Sequence, residues 1–129
     1  MRRLMLLRHA KTETDAPSGR DQDRRLDQRG HRDSAEIGAW LARHPPFPDF
    51  VQVSPAVRAK QTWELVWEAM KDRVPEPQIE FVPELYGAEP TQLLQSIRML
   101  VMQHMIRRRS TSVRYFFDRS IASVICCSS

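Results

Sequence analysis

The stretch Leu4-Met5-Leu6-Leu7-Arg8-His9 constrains this chain more than any other, because an apolar run of strand length ends abruptly on an arginine-histidine pair. A short continuous apolar run predicts a strand covered on both faces, as in a parallel sheet flanked by helices. Ligands of open α/β sheets bind outside the carboxyl ends of the strands, which is where Arg8 and His9 fall. A guanidinium grips phosphate oxygens through paired N–H bonds, and a histidine beside a fixed cation is pushed toward its neutral, nucleophilic form. The pair suggests phosphoryl transfer to imidazole. The plain alternative is a solvated strand terminus.

The elements that follow favour the first reading. Lys11 to Arg25 is polar and contains Pro17, Ser18 and Gly19, a loop long enough to wrap a ligand. Asp27 is placed to cap a helix whose apolar face is Ala35, Ile37, Trp40 and Leu41, stopped by Pro45-Pro46. Phe50-Val51-Gln52-Val53 reads as a second strand. Ala56 to Met70 then has helical spacing, with Ala59, Trp63, Val66, Trp67 and Met70 as a core stripe. After Pro75 and Pro77, Ile79 to Val82 alternates as a third strand, and Pro90 to Leu100 predicts a further helix. Strands and helices in alternation predict an α/β fold, three layers α/β/α around a mostly parallel sheet.

Arg58 falls in the first turn of the second helix, just beyond the strand end and the turn at Ser54-Pro55. Free N–H groups and the helix dipole favour an anion there, so Arg58 and Arg8 are candidates to hold one phosphate. A surface arginine is the alternative.

Charge and cysteine usage exclude other classes. The chain has 129 residues, 41% hydrophobic and 28% charged, as in a soluble globular domain. Its net charge of +4 is not spread over the fold. Through Arg98 there are 15 Lys+Arg against 15 Asp+Glu, and from Met99 onward five arginines against one aspartate. Nucleic-acid binding is therefore disfavoured, because the near-neutral body offers no basic groove and only the tail around Arg107-Arg108-Arg109 attracts phosphates. Cys126 and Cys127 are adjacent, a poor disulfide pair and too few for a metal site. No segment is apolar for long enough to span a bilayer, and the N-terminal run is too short for a secretory signal, so a cytoplasmic protein without membrane association is expected.

Taken in order, LMLLRHAKTE, DRRLDQRGHRDSAEIGAWL, VSPAVRAKQTWE and PELYGA resemble the histidine phosphatase superfamily, with its phosphoglycerate mutase-like fold, and within it the SixA-type phosphohistidine phosphatases. The resemblance covers roughly the first three quarters of the chain. It implies that His9 attacks phosphorus and becomes phosphorylated, that Arg8 and Arg58 bind the phosphoryl oxygens, and that water then releases phosphate. It also implies that Glu84 protonates the leaving group, a step less needed when that group is a nitrogen. A transferring phosphoryl group spreads negative charge over its oxygens, so two arginines can supply the stabilisation with no metal and no other cofactor.

The C-terminal part departs from the family. A second pocket histidine would follow an apolar strand in a Gly-His-Asn-Pro-like motif, and no such motif is present. His104 comes too soon after the Pro90 helix to take its place. The expectation is an incomplete α/β domain over 1–98 and an atypical basic tail over 99–129, poorly ordered, as a truncated or frame-shifted gene would produce. The functional expectation is a phosphatase that hydrolyses phosphohistidine or small phosphomonoesters through a phosphohistidine intermediate, impaired by the missing histidine. Its partners would be a phosphorylated protein or a small phosphorylated substrate. The alternative is an inactive relative that binds phosphate or a phosphoprotein without turnover.

Overall fold

The structure is a computed structural model describing residues 2–107 and 121–128. Its elements are strand β1 (Arg2–Arg8), helix α1 (Gln28–Leu41), strand β2 (Phe50–Val53), helix α2 (Val57–Met70), strand β3 (Gln78–Phe81), helix α3 (Pro90–Arg107) and strand β4 (Ile121–Ser128). Two short 3-10 turns, at Asp21–Asp23 and Pro83–Leu85, interrupt the loops after β1 and β3.

The strands lie in the order β1-β4-β2-β3. β4 is antiparallel to both β1 and β2, and β3 is parallel to β2, so β1, β2 and β3 all run the same way. Their carboxyl ends share one edge of the sheet. β4 is the exception to the parallel expectation: it enters between β1 and β2 from the chain's last residues, and its lone reversed direction brings no parallel crossover with it. α3 runs past residue 98 to Arg107. Of the tail expected over 99–129, residues 99–107 continue α3 and 121–128 form β4, while 108–120, Arg108 and Arg109 included, lie outside the described residues.

Period-two alternation divides the side chains of β1 and β2 between two layers. Met5 and Leu7 of β1 pack with Val51 and Val53 of β2 against α1 and α2, in a core that includes Leu41, Ala59, Trp63, Val66 and Met70. Leu4 and Leu6 point the other way and join Phe50, Val82, Leu85, Leu93, Ile97 and Leu100 under α3. This is the expected three-layer arrangement. β1 serves both cores but is only half-buried, not fully covered, because it forms one edge of the sheet.

Burying a side chain such as Val51 or Val66, both without exposure, contributes about 1.5–3 kcal/mol. The α2 stripe is core as its spacing predicts, with the rings of Trp63 and Trp67 stacked 6.3 Å apart.

α1 differs from its predicted face. Asp27 does cap it, its Oδ1 accepting from the Gly30 N–H at 2.7 Å. The buried positions, however, are Gly30, Ser34, Gly38 and Leu41, while Trp40 is exposed and stacks on His44. Close approach is the reason. A Cβ on Gly38 would stand 2.3 Å from the Val66 carbonyl oxygen, so α1 and α2 meet backbone to backbone through the small residues and leave no room for an indole.

Candidate active site

The shared carboxyl edge collects what each strand delivers. β1 ends on Arg8 and hands the chain to His9; β2 leads through Ser54-Pro55 to Arg58 at the start of α2; β3 leads to Glu84 and Tyr86. A register shift between Leu7 and Arg8 breaks the β1–β4 ladder at this point, an irregularity of the kind that re-aims side chains at strand ends.

His9 is fixed by its neighbours. Its Nδ1 stands 2.8 Å from the Ala10 carbonyl oxygen. A carbonyl can only accept, so the neutral ring carries its proton on Nδ1 and presents Nε2 as a bare lone pair. The next peptide is also held, because the Ala10 N–H donates to Thr62 Oγ1 at 3.1 Å, and that hydroxyl donates to the Arg58 carbonyl at 2.7 Å. Thr62 is buried and joins the His9 loop to the turn of α2 that carries Arg58.

The His9 pKa is lowered from its ordinary 6.5. Burial is the main cause; the Ala10 hydrogen bond opposes it, and the charges of Arg58, Arg8 and Arg24 push it lower again. Near neutral pH the ring is therefore uncharged. His9 thus lies within electrostatic reach of Arg58, Arg8 and Arg24.

The long loop is less open than its composition implies. Its ends are zipped by a Thr12–Leu26 bridge, by Glu13 N–H to Arg25 oxygen at 2.9 Å and by Asp27 N–H to Lys11 oxygen at 3.0 Å. The buried Leu26 donates its N–H to Gln61 Oε1 of α2 at 2.8 Å. Gly30 lies under this junction, where a Cβ would come within 2.1 Å of the Lys11 oxygen. The loop thus turns back to set Asp21 and Arg24 beside Arg58.

Arg58 donates from Nη1 to the Asp21 carbonyl at 2.7 Å and from Nη2 to Asp21 Oδ2 at 3.0 Å. Asp21 Oδ1 is 2.9 Å from Arg24 Nε, in ion-pair contact though not aligned as a hydrogen bond. Tyr86 Oη donates to Asp21 Oδ2 at 3.3 Å, and the Arg58 guanidinium lies 6.0 Å from the centre of the Tyr86 ring. Partial desolvation alone would raise the Asp21 pKa. The Arg58 charge and hydrogen bond, with Arg24 and the Tyr86 hydroxyl, outweigh it and hold the carboxyl below its ordinary value.

Arg24, Asp21 and Tyr86 were not singled out from the sequence. The usable signal was DRRLDQRG, where an arginine stands three residues before a helix cap. Glu84, which was singled out, is exposed on its 3-10 turn and makes no hydrogen bond or ion pair among the described residues. His104 lies within α3. Among the described residues, no group of three or more His, Cys, Asp or Glu is arranged to hold a metal ion, and no helix is long and apolar enough to cross a membrane.

The profile of the histidine phosphatase superfamily (branch 1) matches residues 4–85. The chain belongs to the histidine phosphatase superfamily. That match contains Arg8, His9, Arg24, Arg58 and Glu84 and stops before α3, in line with the departure of the C-terminal part. A protein of Arabidopsis thaliana described as uncharacterized and chloroplastic is 35% identical over 86 residues, 67% of this chain and 39% of that protein.

Among solved structures, the protein described as phosphohistidine phosphatase SixA of Agrobacterium tumefaciens superposes with a TM-score of 0.68 at 31% identity, covering 78% of this chain and 62% of the other. A protein histidine phosphatase SixA in complex with tungstate gives 0.62 at 26% identity, over 88% and 66%. The fold is that of these SixA structures, of which the chain spans roughly two thirds or less.

Proposed function

We propose that this chain is a phosphatase whose His9 takes up and releases a phosphoryl group, acting on phosphohistidine in proteins or on small phosphomonoesters. The observation that carries the reading is the His9 ring itself. Its Nδ1–H is engaged by the Ala10 carbonyl, its Nε2 has no hydrogen-bond partner among the described residues, and its pKa is lowered chiefly by burial and further by three arginines. Membership of the superfamily and likeness to the SixA structures support it.

In the first step His9 Nε2 forms a bond to phosphorus while the bond from phosphorus to the leaving oxygen or nitrogen breaks. Arg8, Arg58 and Arg24 meet the charge on the phosphoryl oxygens, and this positioning supplies most of the catalysis. Glu84 is the proposed donor of a proton to a leaving oxygen, and a leaving imidazole nitrogen needs that proton less. Water then attacks phosphorus, the N–P bond breaks, its proton returns to Glu84 or to solvent, and phosphate leaves with His9 neutral again. The compartment we infer is the cytoplasm.

His9→Ala is the test. Turnover of a phosphohistidine peptide and of a generic phosphomonoester should fall to background, together with labelling by a phosphoryl donor; hydrolysis that survives would refute the assignment. The second reading, a phosphate-binding relative without turnover, is favoured by the missing Gly-His-Asn-Pro-like motif and by the exposed position of Glu84. Vanadate binding by the wild-type chain without any hydrolysis would establish it instead.

A further inference from the structure

Asp21 does more than neutralise a neighbour. One carboxylate touches two arginines of the site, Arg24 and Arg58: Oδ1 faces Arg24 Nε at 2.9 Å, and Oδ2 accepts from Arg58 Nη2 at 3.0 Å and from Tyr86 Oη at 3.3 Å. Its main-chain oxygen takes Arg58 Nη1 at 2.7 Å and also the Arg24 N–H at 3.2 Å. Arg58 is thereby gripped along the edge formed by its two terminal nitrogens. Among the described residues its Nε and remaining N–H groups have no acceptor and stay available to one.

The turn that presents Asp21 is itself braced. Asp23 Oδ2 accepts from Ser18 Oγ at 2.6 Å and from Arg20 Nε at 3.0 Å, and the Asp23 N–H bonds the Arg20 oxygen at 3.0 Å. Each arginine carries several rotatable bonds, and two cations brought to one anion site repel each other before the anion arrives. A carboxylate bridging them removes both costs in advance. The main-chain part of the contact matters here, since a backbone oxygen cannot swing aside as a competing side chain would.

Resting on the phosphatase reading above, we propose that Asp21 is a positioning residue of the active site: it bridges Arg24 and Arg58 and holds both guanidinium groups in place beside His9 for an incoming phosphoryl group. It does not touch the substrate; it acts through the two arginines. Tyr86 serves the same carboxylate from the β3 side.

The experiment titrates tungstate into the full chain by calorimetry and measures phosphomonoester turnover for wild type, Asp21→Ala, Asp21→Asn, Asp21→Glu and Arg58→Ala. A misplaced catalytic group costs up to about 100-fold in rate. Asp21→Ala is expected to weaken tungstate binding roughly 10-fold and to lower kcat about 10- to 100-fold, with a smaller change in KM. Asp21→Glu should recover part of the loss and Asp21→Asn should not, a charge dependence that a purely structural role would not show. Asp21→Asn also keeps the side-chain shape, so it decides the matter if Asp21→Ala does not fold.

Three results would overturn the proposal. Unchanged binding and kcat in Asp21→Ala and Asp21→Asn, with Arg58→Ala impaired, would leave the arginine site standing and remove Asp21 from it. Tighter tungstate binding without the carboxylate would make Asp21 a competitor for the arginines. Wild type that neither binds tungstate nor turns over substrate would bring down the phosphatase reading and this proposal together.

Discussion

The two faces of the sheet are built by different means. On the α1–α2 face the helices approach through Gly30, Ser34 and Gly38, and the chain is laced to itself by side-chain bonds such as Thr62 to Ala10 and Gln61 to Leu26. On the α3 face the contacts are apolar, through Leu93, Ile97 and Leu100 against Leu4, Leu6 and Phe50. The first face carries His9, Arg58 and the loop with Asp21. The second approaches the site through Leu85, which anchors the turn bearing Glu84 and Tyr86. Hydrophobic area is tolerant of small shifts; directional bonds to a loop are not. The difference teaches where activity and stability should separate.

The largest effect tests the α3 face. Leu100 is fully buried, and Leu100→Ala should cost about 2–5 kcal/mol by chemical denaturation through lost transfer energy and the cavity left behind. Turnover per folded molecule should hardly change. A loss of kcat/KM in the folded fraction as large as that from a substitution next to His9 would erase the contrast between the two faces.

Gly30→Ala probes the opposite face. The added methyl meets the Lys11 oxygen, so α1 or the His9 loop must move. Overpacking of this kind costs about 1–3 kcal/mol, and here activity should fall with stability. Thr62→Val sharpens the point with little change in volume. It strands the Ala10 N–H beside His9, for a cost of about 1–3 kcal/mol, and kcat should drop because the residue bonded to the proposed nucleophile has lost its anchor. Stability loss with full activity in both variants would show that the lacing does not serve the site.

The smallest effect concerns pH. The folded His9 pKa lies below its ordinary 6.5, so the folded state disfavours the proton. Its contribution to stability is therefore complete above 6.5 and is lost as the pH falls through the folded value. Between pH 7.5 and pH 5, about the range that spans an ordinary histidine, wild type should lose more Tm than His9→Ala. Equal slopes would mean that His9 is not held neutral by its surroundings.

Pattern reading succeeded where burial follows from chain-local chemistry. The LMLL run, the α2 stripe and the Asp27 cap each need only their own neighbours to be recognised, and each forms the expected element, although the LMLL strand is a half-buried edge and not a fully covered one. It failed in part on α1, where the largest side chain, Trp40, is outside and glycine is inside. Hydrophobicity scales reward size, whereas two helices in backbone contact reward its absence. Asp21, Arg24 and Tyr86 escaped for a related reason. They are polar residues in loop segments with no period, and their significance arises only when the loop after β1 folds back onto α2 and the turn after β3 comes up beside it.

What the amino-acid order determined by itself is the strand that ends on Arg8 and His9, the helix that opens with Arg58, and the family to which these motifs belong, because local periodicity and residue chemistry carry that information. Only the tertiary structure decided that β4 enters antiparallel between β1 and β2, that α1 packs on its glycines, and that a single carboxylate joins Arg24 to Arg58. Each of those is an agreement between segments distant in the chain, set by steric fit and charge pairing that no single segment encodes.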